Sequence, residues 1–272
     1  MIGTIHNRKA FTLLELTFVI MILGIVASIG AEIIAQTYEN YIIQRAQYRA
    51  ATKTELALNQ IANRLRYAIP STVVARPNPG GAFVNITEVP NPNYRVLQWV
   101  GYDGDSFESL SATGLPGWSG FCDLNASSDT ALTTPGSNLS HASTIIANLE
   151  GNISNSAVFF PYENGQEHNI SSVAGNTITL SPAVSTIYER YKLAWTSYAL
   201  EVNGNNDLIL HYNFAPAKGA NIGGSSAILL HNVTNFRFKG SEGALRVKIC
   251  KSERVGADIN ATVHTCKEKV IF

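Results

Sequence analysis

From Phe11 to Ala31 the chain is apolar for roughly twenty residues, broken by a single charge, Glu15, and preceded by Arg8 and Lys9. At about 1.5 Å of rise per residue, a helix of that length spans the ~30 Å hydrocarbon core of a bilayer. A secretory signal has a shorter apolar region that ends at a small-residue cleavage site. Here the run is longer and continues without a break into a polar helical pattern. The segment reads as a membrane anchor, so the rest of the chain must fold while tethered at one end. His6, Arg8 and Lys9 precede the run with no acidic residue before Glu15. The positive-inside rule therefore holds the N-terminus in the cytoplasm and puts everything after Ala31 on the far side of the membrane.

Glu15 is the anomaly in this anchor. A carboxylate near the start of a membrane helix costs ~2.5–3.5 kcal/mol on insertion scales, and the anchor holds no cation to offset it. Protonation, snorkelling to the interface, or a cation brought by another subunit would each satisfy it. The stretch Ala10-Phe11-Thr12-Leu13-Leu14-Glu15-Leu16 resembles the leader junction and first mature residues of type IV pilins and type II secretion pseudopilins. The resemblance implies a prepilin peptidase that cuts after Ala10 and methylates the amino group of Phe11. It also implies that Glu15 attracts the terminal amine of a neighbouring subunit during assembly. The implied partners are the bilayer, other pilin or pseudopilin subunits met through the N-terminal helix, and an inner-membrane assembly platform. The implied location is the bacterial inner membrane with a periplasmic head, followed by a filament at the cell surface. Two departures stand out: Ala10 sits where glycine is usual, and no proline occurs between Phe11 and Ile69. A helix without proline has no built-in break, which favours a minor over a major subunit.

Beyond the anchor, helical character persists to Ile69. Ile34, Tyr38, Tyr41, Tyr48, Leu58, Ile61, Leu65 and Ala68 recur at three- and four-residue steps among Arg, Lys, Gln and Glu, the pattern of an amphipathic helix. Pro70 ends it, because the residue before a proline disfavours helix. The apolar stripe also fits a coiled-coil seam, but its heptads are irregular, which favours packing on the chain's own sheet. Anchor and amphipathic half together predict one helix of nearly sixty residues.

The resemblance sets off 1–10 as a leader, and pattern and composition divide the rest into 11–31 (membrane half of the helix), 32–69 (amphipathic half), 70–183 and 184–272. Residues 70–183 are rich in Asn, Ser, Gly and Pro, which predicts loops around a few short strands at Val96–Val100, Ala157–Phe160 and Thr177–Leu180. Residues 184–272 alternate clearly. Tyr188–Val202 and Leu208–Phe214 flank Gly204-Asn205-Asn206 as a hairpin, with further strands at Ala227–Leu230, Phe236–Phe238, Leu245–Ile249 and Lys269–Phe272. The expected fold class is α+β, pilin-like: a long N-terminal helix packed on a C-terminal antiparallel sheet. The strand order resembles the larger minor subunits, the J-type pseudopilins and PilW-like minor pilins.

The far side of the membrane permits disulfides. Of the three cysteines, Cys250 and Cys266 flank a polar loop in the last strand-rich segment, and their pairing would close a loop of roughly 15 residues worth ~3 kcal/mol. Cys122 is then left over and reads as a small buried hydrophobe. Lys+Arg 20 balances Asp+Glu 20, so no bulk field invites nucleic acid. No nucleophile elbow, phosphate loop or zinc motif is present, so no enzyme activity, cofactor or catalytic residue is expected. Asp103-Gly104-Asp105 with Glu108 lacks the later ligands of a calcium loop, and no metal is expected. Seven Asn-X-Ser/Thr triplets occur, and in four an acid stands two residues before the asparagine: at Asn125, Asn152, Asn169 and Asn260. This extended form resembles the acceptor sequence of a bacterial oligosaccharyltransferase and marks the four asparagines as possible glycosylation sites. The overall expectation is a minor pilin or pseudopilin that primes or caps a filament. The alternative is a tip adhesin or DNA-uptake subunit that recognises its ligand through the loop-rich head.

Overall fold

A computed structural model of the chain describes residues 12–89, 93–241, 243–256 and 261–271. The N-terminal pattern becomes one unbroken helix of 54 residues, α1 (Leu13–Arg66), about 80 Å long at 1.5 Å per residue. Arg64 and Arg66 occupy its last turn, where cations complement the negative end of the helix dipole. The helix stops at Arg66, short of the expected Ile69, because Tyr67 caps it and Ala68 bridges to Gly101; Pro70 then opens a short 3-10 turn, Pro70–Thr72.

Among the described residues the strands form three antiparallel sheets. The first contains β1 (Val74–Arg76), β2 (Val84–Asn85), β3 (Val96–Gly101), β9 (Thr196–Val202), β10 (Leu208–Phe214) and β11 (Ser225–Leu230), in the order β11-β10-β9-β3-β1-β2. The second contains β4 (Ala131–Thr133), β5 (Ala157–Phe159), β6 (Glu167–Ala174), β7 (Thr177–Leu180) and β8 (Lys192–Ala194), in the order β4-β7-β6-β5-β8. The third is a meander of β12 (Val233–Ser241), β13 (Ala244–Arg254) and β14 (Thr262–Ile271). Two short helices complete the head: α2 (Gly104–Glu108) and α3 (Leu139–Asn148). The architecture is α+β and pilin-like.

The main core joins helix, first sheet and third sheet. Leu58, Ile61 and Leu65 of α1 meet Leu97 and Trp99 of β3, Leu200 of β9, Leu208 and Leu210 of β10, and Leu245, Val247 and Ile249 of β13. A second core, built from Trp118, Cys122, Leu132, Leu139, Ile146, Val158, Phe160, Ile178 and Leu193, lies between α3 and the second sheet. A small cluster of Ile69, Val100, Ala157, Phe159 and Ala194 ties the two lobes together.

Three features depart from the sequence reading. Residues 70–183 contribute most of a folded lobe with its own core and the helix α3, not loops around isolated strands. The composition boundary at 183/184 is not a spatial one: β1 to β3 complete the sheet of β9 to β11, while β8 pairs with β5 in the other lobe. The expected strand Tyr188–Val202 is accordingly split at Trp195, where the chain passes from one sheet to the next. Finally, the buried stripe of α1 runs through Ala46, Ala50, Thr54, Ala57, Leu58, Ile61, Ala62 and Leu65. Tyr38, Tyr41 and Tyr48, assigned to that stripe by periodicity, are exposed at 64%, 58% and 73%. Small residues let β13 and β14 approach the helix closely, which a tyrosine would prevent.

Candidate assembly site on the N-terminal helix

The start of α1 is a capping box. Thr12, in extended conformation, accepts a hydrogen bond at its hydroxyl from the Glu15 N–H at 3.3 Å. The Glu15 carboxylate reaches back to accept from the Thr12 N–H at 3.0 Å and from the Thr12 hydroxyl at 3.1 Å. Two of the helix's orphan N–H groups are thus satisfied, and the carboxylate lies against the positive end of the dipole. The geometry holds Glu15 toward the N-terminus of its own helix instead of out along the apolar wall. Downstream, Leu13, Leu14, Leu16, Phe18, Ile20, Met21, Leu23, Ile25 and Val26 are all largely exposed. By length and composition this part of α1 is able to cross a membrane. Among the described residues nothing in the head covers it: the first buried helix residue is Ala46.

From Ala46 upward the helix is clamped by the β13–β14 hairpin. Lys269 Nζ donates to Asn59 Oδ1 at 2.8 Å, Lys267 pairs with Glu55 at 3.7 Å, and the Arg64 guanidinium lies over the Tyr198 ring. Cys250 and Cys266 sit directly opposite one another in the β13–β14 register and form a disulfide, with Cα atoms 4.0 Å apart. Next to it, Lys251 is buried, donating to the His231 carbonyl at 2.8 Å and pairing with Glu253 at 3.0 Å. Burial alone would raise the Glu253 carboxyl. The hydrogen bond and charge of Lys251, with Lys53 and Arg49 of the helix nearby, overcome this and hold it below its ordinary value.

Ala10, Phe11 and Asn260 lie outside the described residues. Asn125, Asn152 and Asn169 are all exposed, and all three belong to the second lobe. Asp103 is not a solvated turn residue: it is buried, caps α2 by accepting from the Ser106 N–H at 3.1 Å, and burial raises its carboxyl. Glu108 accepts from the Tyr67 hydroxyl at 2.9 Å. No cluster of three or more potential metal ligands forms among the described residues. Cys122 is a free, fully buried thiol against the Ser127 hydroxyl, and burial pushes its pKa up. His211 pairs with Glu201 at 2.9 Å and His231 with Asp207 at 2.8 Å, while His168 pairs with Glu163. A groove of about 350 Å3 that sequence reading did not anticipate opens where α1 meets α2, between Arg64, Tyr67, Tyr102, Asp105 and Tyr198. Its residues come from three separate elements, so no local motif announces it.

Residues 5–31 match the family model described as the prokaryotic N-terminal methylation motif. No curated protein and no solved structure matches the chain significantly. The matched segment contains Ala10, Phe11 and Glu15, and it ends where the apolar run ends.

Proposed function

We propose, for a chain that by its N-terminal motif belongs to the type IV pilin and pseudopilin family, the role of a minor subunit that starts or caps a filament. Prepilin peptidase removes residues 1–10 after Ala10 and methylates the new amine of Phe11. The mature protein waits in the inner membrane with its head in the periplasm. The assembly platform then adds it to other subunits through the exposed half of α1.

The observation that carries this reading is the state of α1. A helix of 54 residues is half clamped and half bare, and the membrane-length apolar run of the bare half holds one carboxylate, Glu15, in the first turn. In the free subunit Glu15 is satisfied by Thr12. On docking, the methylated amine of a neighbour competes for the same carboxylate, and an ion pair in a low-dielectric medium outweighs a hydrogen bond to a neutral N–H. The apolar wall around it then packs on neighbouring helices, with Tyr38, Tyr41 and Tyr48 extending that surface above the membrane. The tip position fits a bulky two-lobed head, which would crowd the lateral repeats of a shaft.

The second reading, a recognition subunit, is favoured by one observation: the second lobe has its own core and contributes little to clamping the helix. Excising 70–183 cannot separate the two readings, because it would remove β3 from the middle of the first sheet. Both readings share the same first test. Mass spectrometry of the mature chain, with and without prepilin peptidase, should find a peptide starting at N-methylated Phe11 only when the enzyme is present. With that in hand, Glu15→Ala should leave a folded, membrane-bound subunit that fails to enter filaments. A Met1 start in both strains, or normal assembly of Glu15→Ala, would remove the basis for the assembly role.

A further inference from the structure

The acid-preceded triplets in the second lobe remain unused by filament assembly. Asp and Glu supply 20 of 272 residues, so among seven Asn-X-Ser/Thr triplets an acid at a given position is expected about half a time by chance. It occurs four times two residues before the asparagine. Among the six described triplets, exposure follows the same division in all but one. Asn125, Asn152 and Asn169, each preceded by an acid, are exposed. Of the triplets without the acid, Asn85 and Asn138 are half buried, and Asn138 caps α3 by accepting from the His141 N–H at 3.2 Å. Asn232 is exposed but held at φ 58, a left-handed conformation.

The local geometry ranks the acceptors. Asp123 Oδ1 accepts from the Asn125 N–H at 3.0 Å and the Ala126 N–H at 3.3 Å, folding a tight turn that leaves Asn125 exposed at its corner. Asn152 lies between α3 and the 3-10 turn Ile153–Asn155. Its Oδ1 accepts from the Ser154 N–H at 2.9 Å, which leaves Nδ2 outside that bond. Asn169 sits within β6, opposite Ala157 of β5. An enzyme that must bend the acceptor backbone cannot easily do so inside a sheet.

We propose that the second lobe is N-glycosylated, with Asn125 the leading acceptor and Asn152 the next. The donor is an oligosaccharide linked to a polyprenyl diphosphate. The carboxamide Nδ2 attacks the anomeric carbon, and a C–N bond forms as the bond from that carbon to the diphosphate oxygen breaks. The polyprenyl diphosphate leaves with the electron pair, and the amide proton passes to a base of the transferase. Asp123 and Glu150 supply a fixed negative charge that a cation of the transferase can read, which a bare Asn-X-Ser triplet lacks. The proposal needs the head to lie across the membrane but does not depend on filament assembly.

The test expresses the full chain in bacteria that carry an oligosaccharyltransferase selective for acid-preceded acceptors and its polyprenyl-diphosphate-linked oligosaccharide. The readout is the mass of peptides containing Asn125 and Asn152, with a short acid-preceded acceptor peptide as control in the same cells. Both peptides should gain the oligosaccharide mass. Asp123→Asn, which keeps the turn acceptor and removes the charge, should strip most occupancy from Asn125 and leave Asn152 unchanged. Glu150→Gln should do the converse, so each site serves as the folding control for the other. Unmodified Asn125 and Asn152 beside a modified control peptide would overturn the proposal. So would occupancy that ignores both acids, or modification confined to Asn85, Asn138 or Asn232.

Discussion

Lys251 shows how a single side chain is handled in this head. It is 2% exposed, a position an unpaired ammonium cannot hold, and it survives there through the His231 carbonyl and Glu253. Removing the partner charge by Glu253→Gln should destabilise the head by about 1–3 kcal/mol, discounted because the carboxylate edge still meets water. Chemical denaturation at pH 7 would measure it. The pH dependence has a definite sign. The folded-state carboxyl of Glu253 lies below its ordinary value of 4.5, so its contribution is complete above that value and fades as pH falls through the depressed one. The gap between the native chain and Glu253→Gln should therefore narrow on acidification below pH 4.5 and persist on the alkaline side. A gap constant across that range would show that the charge of Glu253 contributes nothing to holding Lys251.

At the scale of elements, the β13–β14 hairpin is the clamp on the helix and the disulfide is its staple. The chain-entropy model puts a 16-residue separation near ~3 kcal/mol, less whatever pairing the reduced hairpin keeps in the unfolded state. Replacing both cysteines by serine should lower the denaturation free energy by about 2–3 kcal/mol without altering the helix content read by circular dichroism. Helix α3 tests another element. Asn138 at its N-terminus accepts from the His141 N–H, so Asn138→Ala should cost about 1 kcal/mol by denaturant titration. The signals for α3 were present in the sequence: an Asx cap, Leu139, Ala142 and Ile146 at helical spacing, and Gly151 just beyond. They were masked because Ser140, Ser143, Thr144 and Asn148 fill the solvent face, and that composition reads as loop.

For the whole molecule, the issue is how two cores become one head. They meet through Ile69, Val100, Ala157, Phe159 and Ala194, with the half-buried Tyr102 packed against them and Phe159 the large ring buried within the joint. Phe159→Ala should cost about 3–5 kcal/mol and, because it removes the joint and spares both cores, should split one thermal transition into two by calorimetry. A single, merely lowered transition would mean that the strands crossing between lobes, not the joint, enforce cooperativity. The crossing is extensive: β3 and β9 are neighbours in the first sheet although about a hundred residues separate them in sequence.

The sequence by itself determined the parts governed by local physics. A bilayer-length apolar run, one carboxylate within it, an uninterrupted helical phase running to within a turn of Pro70 and the alternation after Tyr191 require only neighbouring residues, and all are legible as patterns. The pairing of Cys250 with Cys266 was legible for the same reason, since both strands of the hairpin lie close in the chain. Tertiary structure alone decided which residues share a core. Helical periodicity offered Tyr38, Tyr41 and Tyr48 for burial as readily as Ala46 and Ala50, and the close approach of the hairpin admitted only the small ones. The division of 70–272 between two lobes was likewise invisible. Pairing β3 with β9 and β5 with β8 is a long-range choice, made by burial of both faces of β3 and β5 and written in no single stretch of sequence.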